Sequence, residues 1–521
     1  MAGLHDAATT CDVVVSALRR FPDRVAFRMD GRDISYREAE DTLQRWVAVL
    51  LQRGFQPDQG VGLLSLNRPE AWFAQAAPAL AGGHYTALHP LGSLDDHLHA
   101  CNEAELRFLF VDPPFAERAT QLLERAETVE AVFSLGPSDA GEDINQLAAA
   151  ATVGGRLDRG PHGPEDMAYL LYTGGTTGVP KAAMLSERAF STLANGTALG
   201  WDLPEEMRYL AVAPISHAAG MLILPTLMRG GTVILQRRFD PSAWLRGMAA
   251  ERATISLLVP TMIYALLDSP ELDRTDLSDL HTLMYGASPI SPTRLAEGVE
   301  RLGPVFCQLY GQTESGGQGT SLWRHQHDVS DLRRLTSCGT PMPFNRVAIL
   351  DAENNPAPDG EAGEICIQGP SVMHGYWKQP ELTEAALAGG WLHTGDIGVR
   401  DEEGFFYIVD RKKDMIVSGG FNVFPREIED VLGQHPAVSA CAVIGVPDEK
   451  WGEAVRALVV LRPGAKAEPE ELIALVRERK GPVYAPKAVE FIESLPLTPV
   501  GKADKKVLRA RYWEGRDRQV G

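Results

Sequence analysis

The sequence predicts an α/β protein. A large N-terminal domain of layered α/β subdomains carries a small β-barrel-like part, and a small α+β domain follows it. Three observations lead there. The chain has 521 residues, too many for one compact core. Short apolar runs alternate with helix-like stretches, the pattern of parallel strands with helical crossovers. Past residue 410 the pattern starts afresh, as it does at a domain boundary.

In chain order, "VGLLSL" (61–66), "LRFLFV" (106–111), "LAVAPI" (210–215) and "TVILQ" (232–236) are short continuous apolar runs that read as buried strands. Helices are expected over 37–54, 115–126 and 242–253. Between about 340 and 410, runs such as "GEICIQG" and "GFFYIVD" are broken by Gly, Pro and Asp, which predicts antiparallel β structure. After "DRKKD" (410–414), "PREIEDVLGQHP" and "EPEELIALVRERK" read as helices. Between and after them, "VSACAVIGV", "AVRALVVL" and "AVEFIE" read as strands. About 110 residues suffice for an independent domain, so the boundary is placed between Lys412 and Lys413, giving domains 1–412 and 413–521.

Composition narrows the function. A formal charge of −19 argues against nucleic-acid binding, which calls for a basic surface. Cys11, Cys101, Cys307, Cys338, Cys366 and Cys441 form no CxxC pair, which disfavours a disulfide framework or structural zinc and fits a reducing compartment. The start lacks a basic leader followed by an apolar core, and no apolar run approaches the roughly 18 residues of a membrane span. A cytoplasmic protein without a transmembrane segment is expected.

The segment "YLLYTGGTTGVPKAAML" (169–185) ends an apolar run in glycines and threonines and then meets a lysine. Glycines let backbone amides approach a ligand, so such a loop after a strand can aim N–H groups and hydroxyls at phosphate, with the lysine adding charge. It is not a Walker A loop: Val179 and Pro180 separate Gly178 from Lys181, and Ala182 stands where a magnesium-binding Ser or Thr belongs. The alternative is a plain surface turn. Further blocks follow in order: "PISHAAG" (214–220), "YGAS" (285–288), "LYGQTES" (309–315), "GEICIQGPSVMHGYW" (363–377), "GWLHTGD" (390–396), "FYIVDRKKDMIVSGGFNVFPREIE" (406–429) and "PLTPVGK" (496–502). Together with the loop they resemble the adenylate-forming superfamily of acyl-CoA synthetases, peptide-synthetase adenylation domains and beetle luciferases.

The resemblance implies ATP-dependent activation of a carboxylic acid to an acyl-adenylate, then transfer to a thiol, usually that of coenzyme A. It assigns Thr173, Gly174, Gly175, Thr176, Thr177, Gly178 and Lys181 to the phosphates, and Glu314 to Mg²⁺, a hard cation that prefers oxygen ligands. Thr313 falls at the α-phosphate, Gly311 within the ATP/AMP-binding set, Asp396 at the ribose hydroxyls, and Arg411 near ribose and phosphate. Tyr310 matches the aromatic residue that stacks on adenine; the alternative is a core tyrosine closing a strand. Lys502 is assigned to charge developing in the first step. Spacing alone does not choose among Lys502, Lys505 and Lys506; the resemblance of "PVGK" to the family pattern picks the first. Lys413 matches the hinge about which a mobile C-terminal domain turns, and Ser418, Gly419 and Gly420 the path of the pantetheine arm.

Peptide-synthetase domains carry an aspartate for the substrate amine in the block that here reads His217, Ala218, Ala219, Gly220, with no carboxylate. An amino acid is therefore not expected. His217 matches the gate of acyl- and aryl-CoA synthetases. With Met221, Gly286, Ala287 and Gly316 it predicts a roomy apolar cavity for an alicyclic, terpenoid, aryl or medium-to-long acyl acid. The expected partners are the acid, ATP and CoA, in a monomer or homodimer; the alternative acceptor is an acyl-carrier protein or a separate acceptor enzyme.

Overall fold

A computed structural model describes residues 8–173, 181–411, 414–418, 421–448, 451–498 and 502–513. Local signals start the helices. In the helix Tyr36–Gln52, the Ser35 hydroxyl accepts from Glu38 N–H while the Glu38 carboxylate accepts from Ser35 N–H, a reciprocal cap. The helix stops two residues short of the predicted end, before Gly54 turns the chain at φ 79°.

Two sheets share the N-terminal part. The first runs, in spatial order, Gly375–Tyr376, Lys181–Ser186, Met167–Thr173, His84–Leu88, Gly60–Leu64, Leu106–Val111, Ala131–Ser134 and Glu142–Asp143. The second is centred on parallel strands Phe306–Tyr310, Thr282–Gly286, Ile255–Leu258, Arg208–Ala211 and Thr232–Leu235. The antiparallel strands expected to form a barrel-like part follow on from this sheet, through Thr320–Leu322, Ser337–Pro341, Phe406–Arg411, Leu392–Arg400, Gly363–Gln368 and Arg346–Leu350.

The strand predicted over 210–215 ends at Ala211. Beyond it, buried Asn67 takes over the ladder: its Nδ2 donates to Ala213 O at 2.9 Å, and its Oδ1 accepts from Ile215 N–H at 3.0 Å. One side chain from the first sheet thus fixes a loop of the second. Nearby, Asp112, fully buried, accepts from Arg68 at 2.7 Å and Arg237 at 3.1 Å, so its charge is compensated.

The smaller C-terminal domain has its own sheet, Phe421–Val423, Ile416–Ser418, Gly452–Leu461 and Val438–Asp448, with Ala488–Phe491 added in parallel. Helices Pro425–Leu432 and Pro469–Lys480 cover an apolar core that includes Ile416, Ile428, Val443 and Leu472. Arg462 reaches Glu297 of the N-terminal domain at 3.7 Å.

Candidate active site

The strands Met167–Thr173 and Lys181–Ser186 form an antiparallel hairpin with Thr173 opposite Lys181, and Thr173 Oγ1 donates to Lys181 O at 3.3 Å. The two ends of the glycine-rich segment are therefore held side by side. Gly174, Gly175, Thr176, Thr177 and Gly178 lie outside the described residues. Lys181 Nζ stands 5.1 Å from the ring centroid of Tyr376, a cation–π contact. Tyr376 belongs to a two-residue strand paired with the same hairpin, and its hydroxyl donates to Glu314 Oε1 at 2.9 Å. Burial, then the neighbouring Glu314 carboxylate, pushes that phenol well above its usual range, so it remains a donor.

Glu314 is 9% exposed, in the turn Thr313–Ser315, and its carbonyl accepts from Met373 N–H at 2.8 Å. Among the described residues no three His, Cys, Asp or Glu side chains cluster as metal ligands. A lone carboxylate fits Mg²⁺, which commonly takes one or two carboxylates and completes its shell with water and substrate phosphate.

The same segment reaches a second carboxylate. Tyr310 ends the strand Phe306–Tyr310, buried, and its hydroxyl donates to Asp396 Oδ2 at 2.9 Å. Gln312 Nε2 donates to that oxygen at 3.0 Å and to Thr394 O at 2.7 Å. The Tyr310 ring packs in the core cluster, and its hydroxyl serves Asp396. Asp396 is 3% exposed and stands opposite Arg411 in the register of the neighbouring strand. Its turn is held from below: Glu364 Oε1 accepts from Gly395 N–H at 2.8 Å, and Gly395 sits at φ 72°, where a side chain would strain the turn. Gly311 is where two backbones cross, since a Cβ there would lie 2.4 Å from the Gly317 carbonyl carbon.

His217 follows the loop that Asn67 holds. Gln75 Nε2 adds a hydrogen bond to Ile215 O at 3.3 Å. His217 Nδ1 lies 2.9 Å from Ser216 Oγ, and its ring meets His89 edge-on with centroids 4.9 Å apart. Burial first, then the second imidazole, lowers His217 to about 4, so it is neutral near pH 7.

The small residues expected to line the acid pocket are closely packed on the side where a Cβ would stand. A Cβ at Gly220 would lie 2.2 Å from Ile215 O, and one at Gly286 2.3 Å from Leu309 O. At Gly316 (φ 61°) a Cβ would meet Ser371 O at 3.2 Å. These glycines allow backbones to approach closely. Ala219 is buried and its carbonyl accepts from Tyr209 Oη at 2.8 Å; Ala287 sits at φ 66°. Ala218 and Met221 remain partly exposed, and Met221 Cε lies 2.6 Å from where a Gly317 Cβ would be. A flexible thioether, not a void, borders this part of the site.

On the C-terminal domain, Lys502 sits in a stitched turn: its N–H donates to Thr498 Oγ1 at 3.1 Å, and its carbonyl accepts from Thr498 N–H at 2.7 Å. Lys505 Nζ pairs with Glu429 at 2.7 Å within its own domain, and Lys506 is exposed. Ser418 is 4% exposed and aligns with Phe421 and Gly452. Lys413, Gly419 and Gly420 lie outside the described residues. Sequence reasoning missed Tyr376, Gln312 and Glu364. Each lies inside one of the blocks that carry the resemblance, but nothing in the spacing says which carboxylate it serves.

On this α/β frame the segment Tyr310–Glu314 links Asp396 to Glu314, and Tyr376 links Glu314 to Lys181. The family described as "AMP-binding enzyme" matches residues 14–377, and "AMP-binding enzyme C-terminal domain" matches residues 427–502. The chain belongs to this adenylate-forming family and is an AMP-forming acyl-CoA ligase. It is 44% identical to a medium/long-chain-fatty-acid–CoA ligase of Mycobacterium tuberculosis, over 98% of this chain and 91% of that one. It is 38% identical to a feruloyl-CoA synthase of an Amycolatopsis species, over 96% and 98%. The solved amide bond synthetase of Marinactinospora thermotolerans superposes with a TM-score of 0.88 at 35% identity, covering 96% of this chain and 100% of that one. Among the described residues no helix is long and apolar enough to cross a membrane.

Proposed function

We propose that the chain activates a hydrophobic carboxylic acid and passes the acyl group to CoA, within the alicyclic, terpenoid, aryl or medium-to-long acyl range. The observation that carries the nucleotide part is that one short segment, Tyr310 to Glu314, touches both ends of the site. Tyr310 and Gln312 bond Asp396, and Glu314 is bonded by Tyr376 beneath Lys181. In the first step an acid oxygen attacks the α-phosphorus, the bond to the bridging oxygen breaks, and pyrophosphate leaves. The barrier is mutual repulsion of anions, so the protein contributes placed charge and orientation.

Lys181, Thr173 and the glycine-rich segment hold the β and γ phosphates, and Thr313 the α-phosphate. Asp396 accepts from the ribose hydroxyls, with Arg411 beside it. Lys502 offsets the charge that builds between acid and phosphate. Mg²⁺ on Glu314, when bound, neutralises phosphate charge. In the second step the CoA sulfur attacks the acyl carbon, the acyl–oxygen bond breaks, and AMP leaves. Rotation of residues 413–521 about Lys413 against residues 1–412 brings Ser418, Gly419 and Gly420 alongside the pantetheine arm.

The lack of a carboxylate at 217–220 supports an acid without an α-amine. Likeness to fatty-acid and feruloyl ligases supports the hydrophobic class, and likeness to an amide bond synthetase favours keeping a second acceptor in view. The test is pyrophosphate release with Mg·ATP over fatty, aryl, alicyclic, terpenoid and amino acids, with and without CoA. CoA-dependent turnover with a hydrophobic acid is expected. Amino-acid turnover would overturn the acid class, and a stoichiometric burst unchanged by CoA would overturn the acceptor.

A further inference from the structure

The C-terminal domain must deliver Lys502 to a site on the other domain, so something must fix where the lysine sits relative to the point of rotation. A linked set of contacts does this. The Lys502 turn closes on Thr498, and its flanks pair as Leu497 with Ala503. Asp504 N–H donates to Pro496 O at 2.7 Å, and the Asp504 carboxylate accepts from Lys506 N–H and Val507 N–H at 3.1 and 3.0 Å. That cap starts the helix Lys505–Ala510, whose Leu508 is fully buried against Ala442, Ile444, Val446 and Leu458. Within this helix Arg509 Nε donates to Lys505 O at 3.2 Å, which fixes the guanidinium. Its Nη2 then bonds Asp414 Oδ1. Asp414 is the first described residue after Lys413, and both side chains are partly buried, at 19% and 16% exposure. Lys505 adds a second strut to Glu429, whose Oε1 also accepts from Val443 N–H at 2.7 Å.

We infer that Asp414 and Arg509 are positioning residues for the first half-reaction: their ion pair ties the start of the rotating domain to the helix that carries the Lys502 turn. The inference rests on the proposed role of Lys502. A rigid strut transmits rotation to the lysine, whereas a loose one lets the turn drift. Misplacing a catalytic charge by an ångström is enough to cost rate heavily. Nothing in the second half-reaction uses Lys502, so that step should be insensitive to the strut.

The test uses the full-length enzyme with Arg509→Gln, Asp414→Asn and the exchange Asp414→Arg/Arg509→Asp, beside Lys502→Ala. Single-turnover adenylation and thioester formation from supplied acyl-adenylate are measured on each preparation. Each single variant should slow adenylation about tenfold, since a loosened strut lets the lysine drift from its working position. Thioester formation should change less than about twofold, and the exchange should restore most of the adenylation rate, because it rebuilds the pair. Equal loss in both half-reactions, or an exchange variant that melts like wild type yet adenylates no better than the singles, would overturn the strut. If Lys502→Ala is slow while Asp414→Asn is at the wild-type rate, the strut alone fails. If Lys502→Ala adenylates normally, the role of Lys502 fails and the strut with it.

Discussion

Tyr376 is the residue on which two charges of the site converge. Its hydroxyl bonds Glu314 while its ring carries Lys181, so it sets the spacing between that carboxylate and that cation. Tyr376→Phe keeps the ring and removes one hydrogen bond to a buried carboxylate, worth about 1.5–3 kcal/mol when a charged group is involved. Pyrophosphate release should therefore fall by about ten- to a hundredfold. The apparent affinity for Mg·ATP should weaken, and Lys181 stays over the ring. Unchanged kinetics would mean that Glu314 is held by other contacts. The residues proposed to act on ligand, Lys181, Glu314, Asp396 and Lys502, came from the sequence blocks, because the chemistry demands particular side chains. The residues that hold them did not. Gln312 and Glu364 serve Asp396 through a turn and a neighbouring strand, relations that linear spacing does not encode.

At the scale of elements, the strands buried on both faces were easiest to read, since a short continuous apolar run suits a strand covered on both sides: Leu106–Val111 coincides with its predicted span. Where a side chain replaces the ladder, periodicity misleads, and "LAVAPI" keeps only its first two residues in the strand, the rest being held by Asn67. The glycines in 217–220 and 285–319 have a second reason to be small: Gly220 and Gly286 face carbonyl oxygens at distances no Cβ tolerates. A sequence shows that a side chain is missing; only packing shows what fills the space. The antiparallel runs after 340 were recognised as such, but whether they close or extend a sheet depends on pairing partners far apart in sequence.

For the whole molecule, pH couples to stability through buried imidazoles. His327 is 6% exposed; its Nδ1 lies 2.8 Å from Trp323 O and its Nε2 3.0 Å from Tyr285 Oη, a geometry that suits the neutral ring. His84 is 2% exposed. Burial lowers both to about 4. The unfolded chain takes up protons near pH 6.5, which the folded chain resists until about pH 4, so stability is full above 6.5 and declines as pH falls through that window. Each histidine contributes about 3 kcal/mol over the full interval. Urea midpoints should drop steadily from pH 7 to pH 4.5, and His327→Gln should flatten that slope by about a third, since His84 and His217 are lowered to about 4 as well; a slope unchanged by the substitution would show that His327 does not contribute.

The two-domain division of labour is the claim on which the rest depends, and it is tested most directly by separating the half-reactions of Lys502→Ala in single-turnover experiments. By analogy with loss of one preorganised donor, adenylation should slow by about 10²–10³, while thioester formation from supplied acyl-adenylate and CoA proceeds near the wild-type rate. Equal loss in both steps, or none in the first, would contradict the account.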